Sequence, residues 1–307
     1  MISVVIPLYN KETTIQRALQ SVLNQTYQDF EIVVVDDGSS DNGVAQVTTI
    51  QDTRIRLVRQ NNQGVSAARN RGISEANSDW IAFLDADDEW EFQLLESFVE
   101  LSSQHPTCKV ISGAYRHIDT SGKWRNIELH NLPFEDSSGI LSNYFEVAST
   151  SNPPIWSSCV MVRKDALLQI GGFPVGVKQG EDLLTWARLA VNNQIAYTIE
   201  PLATFYPDRG SYYSKPSRIP AEDDIVGQEL EKLLQRHPDI KGLKDYVGHW
   251  HKMRASIYLR LPGYNKQSRQ EIRKALSYAT DGRKLYLYRM LLVLPYNIRM
   301  ALFKRLG

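Results

Sequence analysis

Short β-branched apolar runs alternate with segments of helical spacing through the first half of the chain. Ser3 to Pro7 predicts a buried strand, and Ile15, Leu19, Val22 and Leu23 then fall at i, i+4, i+7 and i+8, one face of a helix. Glu31 to Val35 predicts a second strand, Ile55 to Val58 a third, Val65 to Ala76 a helix and Trp80 to Leu84 a fourth strand. Such alternation predicts a doubly wound α/β layer built on a mainly parallel sheet. After Asp88 the pattern loosens. It gives a helix near Phe92 to Gln104, a strand near Val110 to Tyr115, a turn at Asp119 to Gly122 and a loop-rich stretch to about Pro154. Strand Ser158 to Val162 and helix Glu181 to Val191 follow. From about Ala221 the β-branched runs vanish and the spacing is helical, with Pro238, Pro262 and Pro295 as breakers. The expected boundary lies near Pro216 to Pro220, dividing residues 1–218 from a helical region at 219–307.

With 42% of residues apolar and 23% charged, the chain is too apolar for disorder and long enough for a sizeable core. Lys plus Arg and Asp plus Glu both total 35, which excludes a uniformly basic nucleic-acid binder. The balance conceals an asymmetry: from Lys252 onward 13 basic residues face only Glu271 and Asp281. An anionic partner is expected for this part of the chain. Cys108 and Cys159 form no CxxC, so neither a thiolate zinc site nor a disulfide framework is written here. The start, Met1-Ile2-Ser3-Val4, has no secretory pattern, and the expected location is cytoplasmic. Leu285 to Phe303 is interrupted by Arg289, Pro295 and Arg299, short of the roughly 18 apolar residues a spanning helix requires.

In open α/β sheets ligands bind beyond the carboxyl ends of the strands, so the residues just after each strand are where chemistry is sought. Strand two ends in Asp36-Asp37-Gly38-Ser39, where a carboxylate can accept from a ribose hydroxyl or a base N–H, or can simply close an Asx turn. Strand four ends in Asp85-Ala86-Asp87-Asp88. Like charges so close repel, and burial raises the cost, so either a cation or donor-rich ligand is expected against them or the acids form a solvated loop that caps the next helix. Oxygen-only ligands suit Mg²⁺ or Mn²⁺ completed by substrate phosphates. Between these motifs, Gly64 to Gly72 feeds a helix of small residues that permits close backbone approach, with Arg69 and Arg71 available to anions. Neither a GxGxxG fingerprint nor a Walker A sequence is present. Glu181 and Asp182 open a helix, either as first-turn acids favoured by its dipole or as a general base. The six His residues are scattered without a metal-ligand pattern, and Ser157 and Ser158 lack a G-x-S-x-G elbow.

Taken together, Val5-Ile6-Pro7-Leu8-Tyr9-Asn10, Asp36 to Ser39, Gly64 to Gly72, Phe83 to Asp88 and Glu181-Asp182 resemble the family 2 glycosyltransferases in order and spacing, over about residues 1 to 215. The resemblance implies a GT-A fold and a non-processive, inverting enzyme. It implies that Pro7, Tyr9 and Asp37 line the nucleotide pocket, with Arg69 beside it. Asp85 and Asp87 correspond to the DxD motif, the first facing the ribose and the second holding Mn²⁺ or Mg²⁺ on the diphosphate. Asp182 is implied as the catalytic base. Trp156 to Arg163 and Gly171-Gly172-Phe173 resemble the acceptor-side strand and loop, which places Trp156 and Glu181 toward the acceptor. The donor implied is a nucleotide-sugar, most commonly a UDP-sugar. Two departures stand out. Phe205 to Ser211 lacks the His of a Tyr-Arg-x-His-type segment, and the Gln-x-x-Arg-Trp motif of processive members is missing.

Tyr286, Met290, Leu291, Leu294, Ile298, Leu302 and Phe303 recur at near-helical intervals among Arg283, Lys284, Arg289, Arg299, Lys304 and Arg305. A basic amphipathic segment of this kind either lies on an anionic membrane surface or packs against the catalytic domain or a homodimer partner. Membrane contact would put the enzyme on the inner face of the cytoplasmic membrane, near a polyprenyl-diphosphate-linked saccharide acceptor of surface polysaccharide synthesis. Two alternatives are a sugar-nucleotide pyrophosphorylase and a non-catalytic nucleotide-sugar-binding scaffold. The first wants a Gly-rich basic loop after strand one, where Tyr9-Asn10-Lys11-Glu12 stands. The second has no use for an intact DxD and Glu-Asp pair.

Overall fold

The computed structural model describes residues 1–119, 122–206 and 219–306. Its residues fall into two compact units, 1–206 and 207–307. Most of the expected boundary segment lies in residues 207–218, outside the described residues.

The first unit opens with β1 (Ile2–Leu8), α1 (Ile15–Leu23), β2 (Phe30–Asp36), α2 (Gly43–Thr48), β3 (Ile55–Arg59), α3 (Val65–Glu75) and β4 (Trp80–Phe83). It continues through β5 (Glu89–Trp90), α4 (Leu94–Gln104), β6 (Val110–Ile118), β7 (Trp124–Asn126), β8 (Ser138–Ile140) and α5 (Tyr144–Thr150). The remainder is β9 (Val160–Arg163), α6 (Lys164–Gln169), α7 (Glu181–Asn192) and β10 (Ile195–Phe205). The strands form one sheet in the order β3-β2-β1-β4-β9-β6-β10-β5. β3, β2, β1 and β4 are mutually parallel, so their carboxyl ends share one crest.

Side chains along these strands alternate between two buried faces. Val4, Ile6, Ile32 and Val34 pack with Ile15, Leu19 and Val22 of α1 and with Leu94 and Phe98 of α4. Val33 and Val35 face the other way, onto Ala68 of α3. Gly72 lets α3 settle directly on β1: a Cβ there would lie 2.2 Å from Val5 Cγ1. The close approach expected of the small-residue helix is therefore real.

β9 changes the direction of the sheet. It runs antiparallel between β4 and β6, with Val160 opposite Phe83. Because its first residue meets the last residue of β4, the segment just before β9 is delivered to the acidic crest. β10 pairs parallel with β6 and antiparallel with β5, which brings Tyr206 to the same place. The stretch expected as loop contains β7, β8 and α5, and β10 is a further strand that the hydrophobic pattern did not mark.

The second unit is helical, as expected: α8 (Ile225–Arg236), α9 (Leu243–Leu259), α10 (Asn265–Tyr278), α11 (Arg283–Leu291) and α12 (Tyr296–Leu306). Ala255, Leu259, Ile272, Ala275, Leu285, Leu291 and Leu292 form its core. The amphipathic segment is thus split between two helices. Leu291 packs inward, while Tyr286, Met290, Val293, Ile298 and Leu302 are exposed. Arg299, read from the sequence as part of the basic surround, is buried. Among the described residues no helix is long and apolar enough to cross a membrane.

Candidate active site

Asp37 continues the crest of β2, its N–H donating to Leu8 O at 2.8 Å. Its carboxylate is buried and accepts from Gln60 Nε2 at 2.8 Å, Gln63 N at 2.9 Å and Gly64 N at 2.8 Å. It therefore fixes the loop between β3 and α3. Asp36 Oδ1 accepts from Ser39 N at 3.0 Å, the Asx turn that the sequence allowed. Gly38 sits at φ +75, where a Cβ would lie 2.9 Å from Asn62 N. Above this turn Pro7 is half-buried, whereas Tyr9 presents an exposed ring.

The acidic cluster after β4 divides by partner. Asp85 Oδ1 accepts from Arg69 Nη2 at 2.7 Å, and its N–H donates to Ser158 Oγ at 3.1 Å. Asp87 is half-buried and pairs with Lys11 Nζ at 2.5 Å, while its carbonyl accepts from Arg17 Nη2. Asp88 is buried and takes three donors: Ser158 Oγ at 2.5 Å, Trp156 Nε1 at 3.0 Å and Tyr206 N at 3.3 Å. Burial, with the charges of Asp85 and Asp87, pushes the Asp88 carboxyl up to about 8 against those hydrogen bonds. Asp88 thus acts as an anchor that draws the start of β9 and the end of β10 against the crest. Trp156 is held through this bond and packs its ring on Tyr115 and Phe205.

Arg69 ties the crest to α7. It is 3% exposed, and besides Asp85 it reaches Glu181 Oε1 with Nη1 at 3.4 Å. Its guanidinium lies 5.1 Å from the centroid of Phe173, whose ring packs edge-on against Phe83 and Trp186. Asn70 holds that loop by bonds of 2.8 Å to Phe173 N and O. Burial pulls the Arg69 pKa down, but Asp85 and Glu181 outweigh it and leave the pKa raised. Glu181 is pushed up to about 7 by burial and by Asp182, against the pull of Arg69. Asp182 is raised from its ordinary value by burial, also against Arg69, and its Oδ1 accepts from Leu183 N at 2.8 Å. A carboxylate with a raised pKa at the start of a helix is suited to taking a proton.

The carboxylates stand at the strand ends and helix start where the sequence shows them, but what organises them is not written locally. Lys11, Arg17 and Ser158 were not singled out as site residues, and Arg69 is a buried bridge rather than a side chain open to a ligand. Ser158, a hydroxyl leading into an apolar strand, was the one available signal. The segment lacking the family's His falls largely in residues 207–218, outside the described residues.

Asp87 offers hard oxygen donors and already draws a cation, the Lys11 ammonium, so the residues fit a divalent metal. Among the described residues the three-residue group whose ligand atoms converge closely enough to hold a metal is Asp224, His251 and Glu271, in the helical unit. There Arg254 Nε is 2.9 Å from Glu271 and 3.3 Å from Asp224, and Trp250 Nε1 donates to Asp224 Oδ1 at 3.0 Å. These carboxylates are neutralised within the protein and form a structural ion-pair network.

Residues 3–171 match the model of glycosyl transferase family 2. The chain belongs to that family. An uncharacterized glycosyltransferase of Rickettsia felis is 32% identical over 197 residues, 63% of this chain and 31% of the relative. Glycosyltransferase GlyA of Streptococcus pneumoniae is 28% identical over 216 residues, 68% of this chain and 31% of that protein. The chain thus spans about a third of the length of these relatives. Among solved structures, S. aureus TarS 1-349 in complex with UDP-GlcNAc superposes with a TM-score of 0.72 at 17% identity, covering 99% of this chain and 91% of TarS 1-349. That likeness establishes a shared GT-A-type fold.

Proposed function

We propose that the protein is a metal-dependent, inverting glycosyltransferase moving one sugar per encounter from a nucleotide-sugar, most simply a UDP-sugar, to a saccharide hydroxyl. The observation that carries this reading is the Arg69 bridge, which gathers Asp85 and Glu181 and, through the latter, Asp182, next to the Asp87 crest. The UDP-GlcNAc in the TarS complex supports the donor class.

In this reading Tyr9 offers its exposed ring to the base, Pro7 shapes the pocket floor and Asp37 keeps the loop over the ribose in place. Asp85 faces the ribose and Asp87 supplies the metal ligand. A bound Mn²⁺ or Mg²⁺ would offset the charge that develops on the departing nucleoside diphosphate. Asp182 accepts the proton of the acceptor hydroxyl as its oxygen bonds the anomeric carbon and the bond to the phosphate oxygen breaks. Attack opposite the leaving group inverts the centre, so an α-linked donor yields a β-glycoside. Trp156 and Glu181 border the acceptor. Residues 1–218 form the catalytic domain in this account. The helical region, with Tyr286, Met290 and Ile298 exposed among Arg283, Lys284 and Arg289, meets an anionic membrane carrying a polyprenyl-diphosphate-linked acceptor.

The test is a donor screen scored by nucleoside diphosphate release against lipid-linked acceptors, repeated with Asp182→Asn. Transfer should fall by about a thousandfold or more while UDP binding is kept. Full transfer by the variant would remove Asp182 as the base.

A further inference from the structure

Helix α10 begins in a way that is electrostatically unfavourable for the protein alone. The N-terminus of a helix carries partial positive charge and favours acids. The first turn of α10 contains no acidic residue, and instead Lys266 and Arg269 stand at its start with Arg273 one turn further on. All three are exposed, and with Asn265 and Gln270 they line a cavity of about 520 Å³. None of the three has a carboxylate partner among the described residues.

Several other cations of this unit are paired. Lys274 on the same helix pairs with Glu231 at 3.5 Å, Arg254 with Glu271 at 2.9 Å and Arg283 with Asp281 at 2.7 Å. The single acid of α10, Glu271, is turned inward to His251 and Arg254. A fourth cation is bonded to one of the lining residues. Arg299 of α12 is 2% exposed, its Nη1 donates to Asn265 Oδ1 at 2.7 Å, and its Nε has no hydrogen-bond partner. A buried guanidinium joined to the cavity wall through an amide, with no acidic partner among the described residues, leaves positive potential uncompensated there. Backbone N–H groups at a helix start, a fork of guanidinium donors and an ammonium are together the donor set that phosphate oxygens select.

We infer that this cavity binds a phosphate or diphosphate group. The inference does not depend on the catalytic reading, because none of these residues belongs to the acidic crest. Two sources share the chemistry: the headgroup of an anionic lipid and a soluble phosphate compound.

The full chain is titrated calorimetrically with inorganic diphosphate in the presence of a chelator, so that no metal recruits the anion to Asp87. The same protein is sedimented with vesicles of equal parts phosphatidylglycerol and phosphatidylcholine, and with phosphatidylcholine alone. Each measurement is repeated on Lys266→Glu/Arg269→Glu/Arg273→Glu and on the milder triple Gln variant, with circular dichroism reporting the fold. The wild-type chain should bind, and the Glu variant should bind about a hundredfold more weakly. Charge-dependent sedimentation that diphosphate competes away identifies a lipid headgroup, and diphosphate heat without sedimentation identifies a soluble ligand. Absence of both, or binding that survives in both folded variants, overturns the inference.

Discussion

Arg69 is the side chain on which the arrangement of the crest and α7 carboxylates turns. Its guanidinium is almost wholly buried and neutralises two recessed acids, Asp85 and Glu181, that would otherwise repel each other and Asp182. Arg69→Met keeps the side chain's length and removes its charge. Breaking a buried pair from one side is expected to cost about 3 kcal/mol, measurable by denaturant unfolding. The change should also move the pH profile. In the proposed mechanism Asp182 acts as base only when ionised; its pKa is already raised by burial, and Arg69 is what holds it down. Activity is therefore lost as pH falls through that raised value. Removing Arg69 should shift the acid limb of kcat/KM to higher pH. An acid limb unchanged in Arg69→Met would detach Asp182 from this network.

At the scale of elements, the contact of α3 with β1 is the tightest constraint on the crest. Gly72→Ala places a methyl 2.2 Å from Val5 Cγ1, so helix or strand must shift. We expect about 1–3 kcal/mol of destabilisation in urea unfolding, with donor affinity weakened in parallel because α3 carries Arg69. The hydrophobic pattern revealed the strands of this half because period-2 burial is local, and Val4, Val5, Ile32 and Val33 are apolar on both faces. β10 escaped because Glu200 and Pro201 interrupt its run, where the pairing with β6 shifts register. β7 and β8, three residues each, are strands only by virtue of their partners. The same distinction governs the site. The carboxylates were legible because they directly follow buried apolar runs, and the role expected of Asp87 came from the family resemblance of the Asp85-Ala86-Asp87 motif. The links that organise them were not, because Lys11 meets Asp87 across 76 positions and Arg69 meets Glu181 across 112. No local pattern encodes such pairings.

For the molecule as a whole, two units divide the chemistry. Residues 1–206 carry the acidic crest, and the helical residues from 219 onward carry much of the excess positive charge. Family 2 membership and the TarS-like fold establish the family and the architecture, and the central claim of the proposal is narrower: a divalent cation at Asp87 holds the diphosphate of the donor against that crest. The most direct measurement is a calorimetric titration of UDP into the full chain with and without Mn²⁺, repeated on Asp87→Asn. The account predicts binding that Mn²⁺ strengthens by at least about tenfold in the wild-type chain, a gain that disappears in the variant. Equal UDP affinity with and without the metal, or a metal effect that persists in Asp87→Asn, would contradict it.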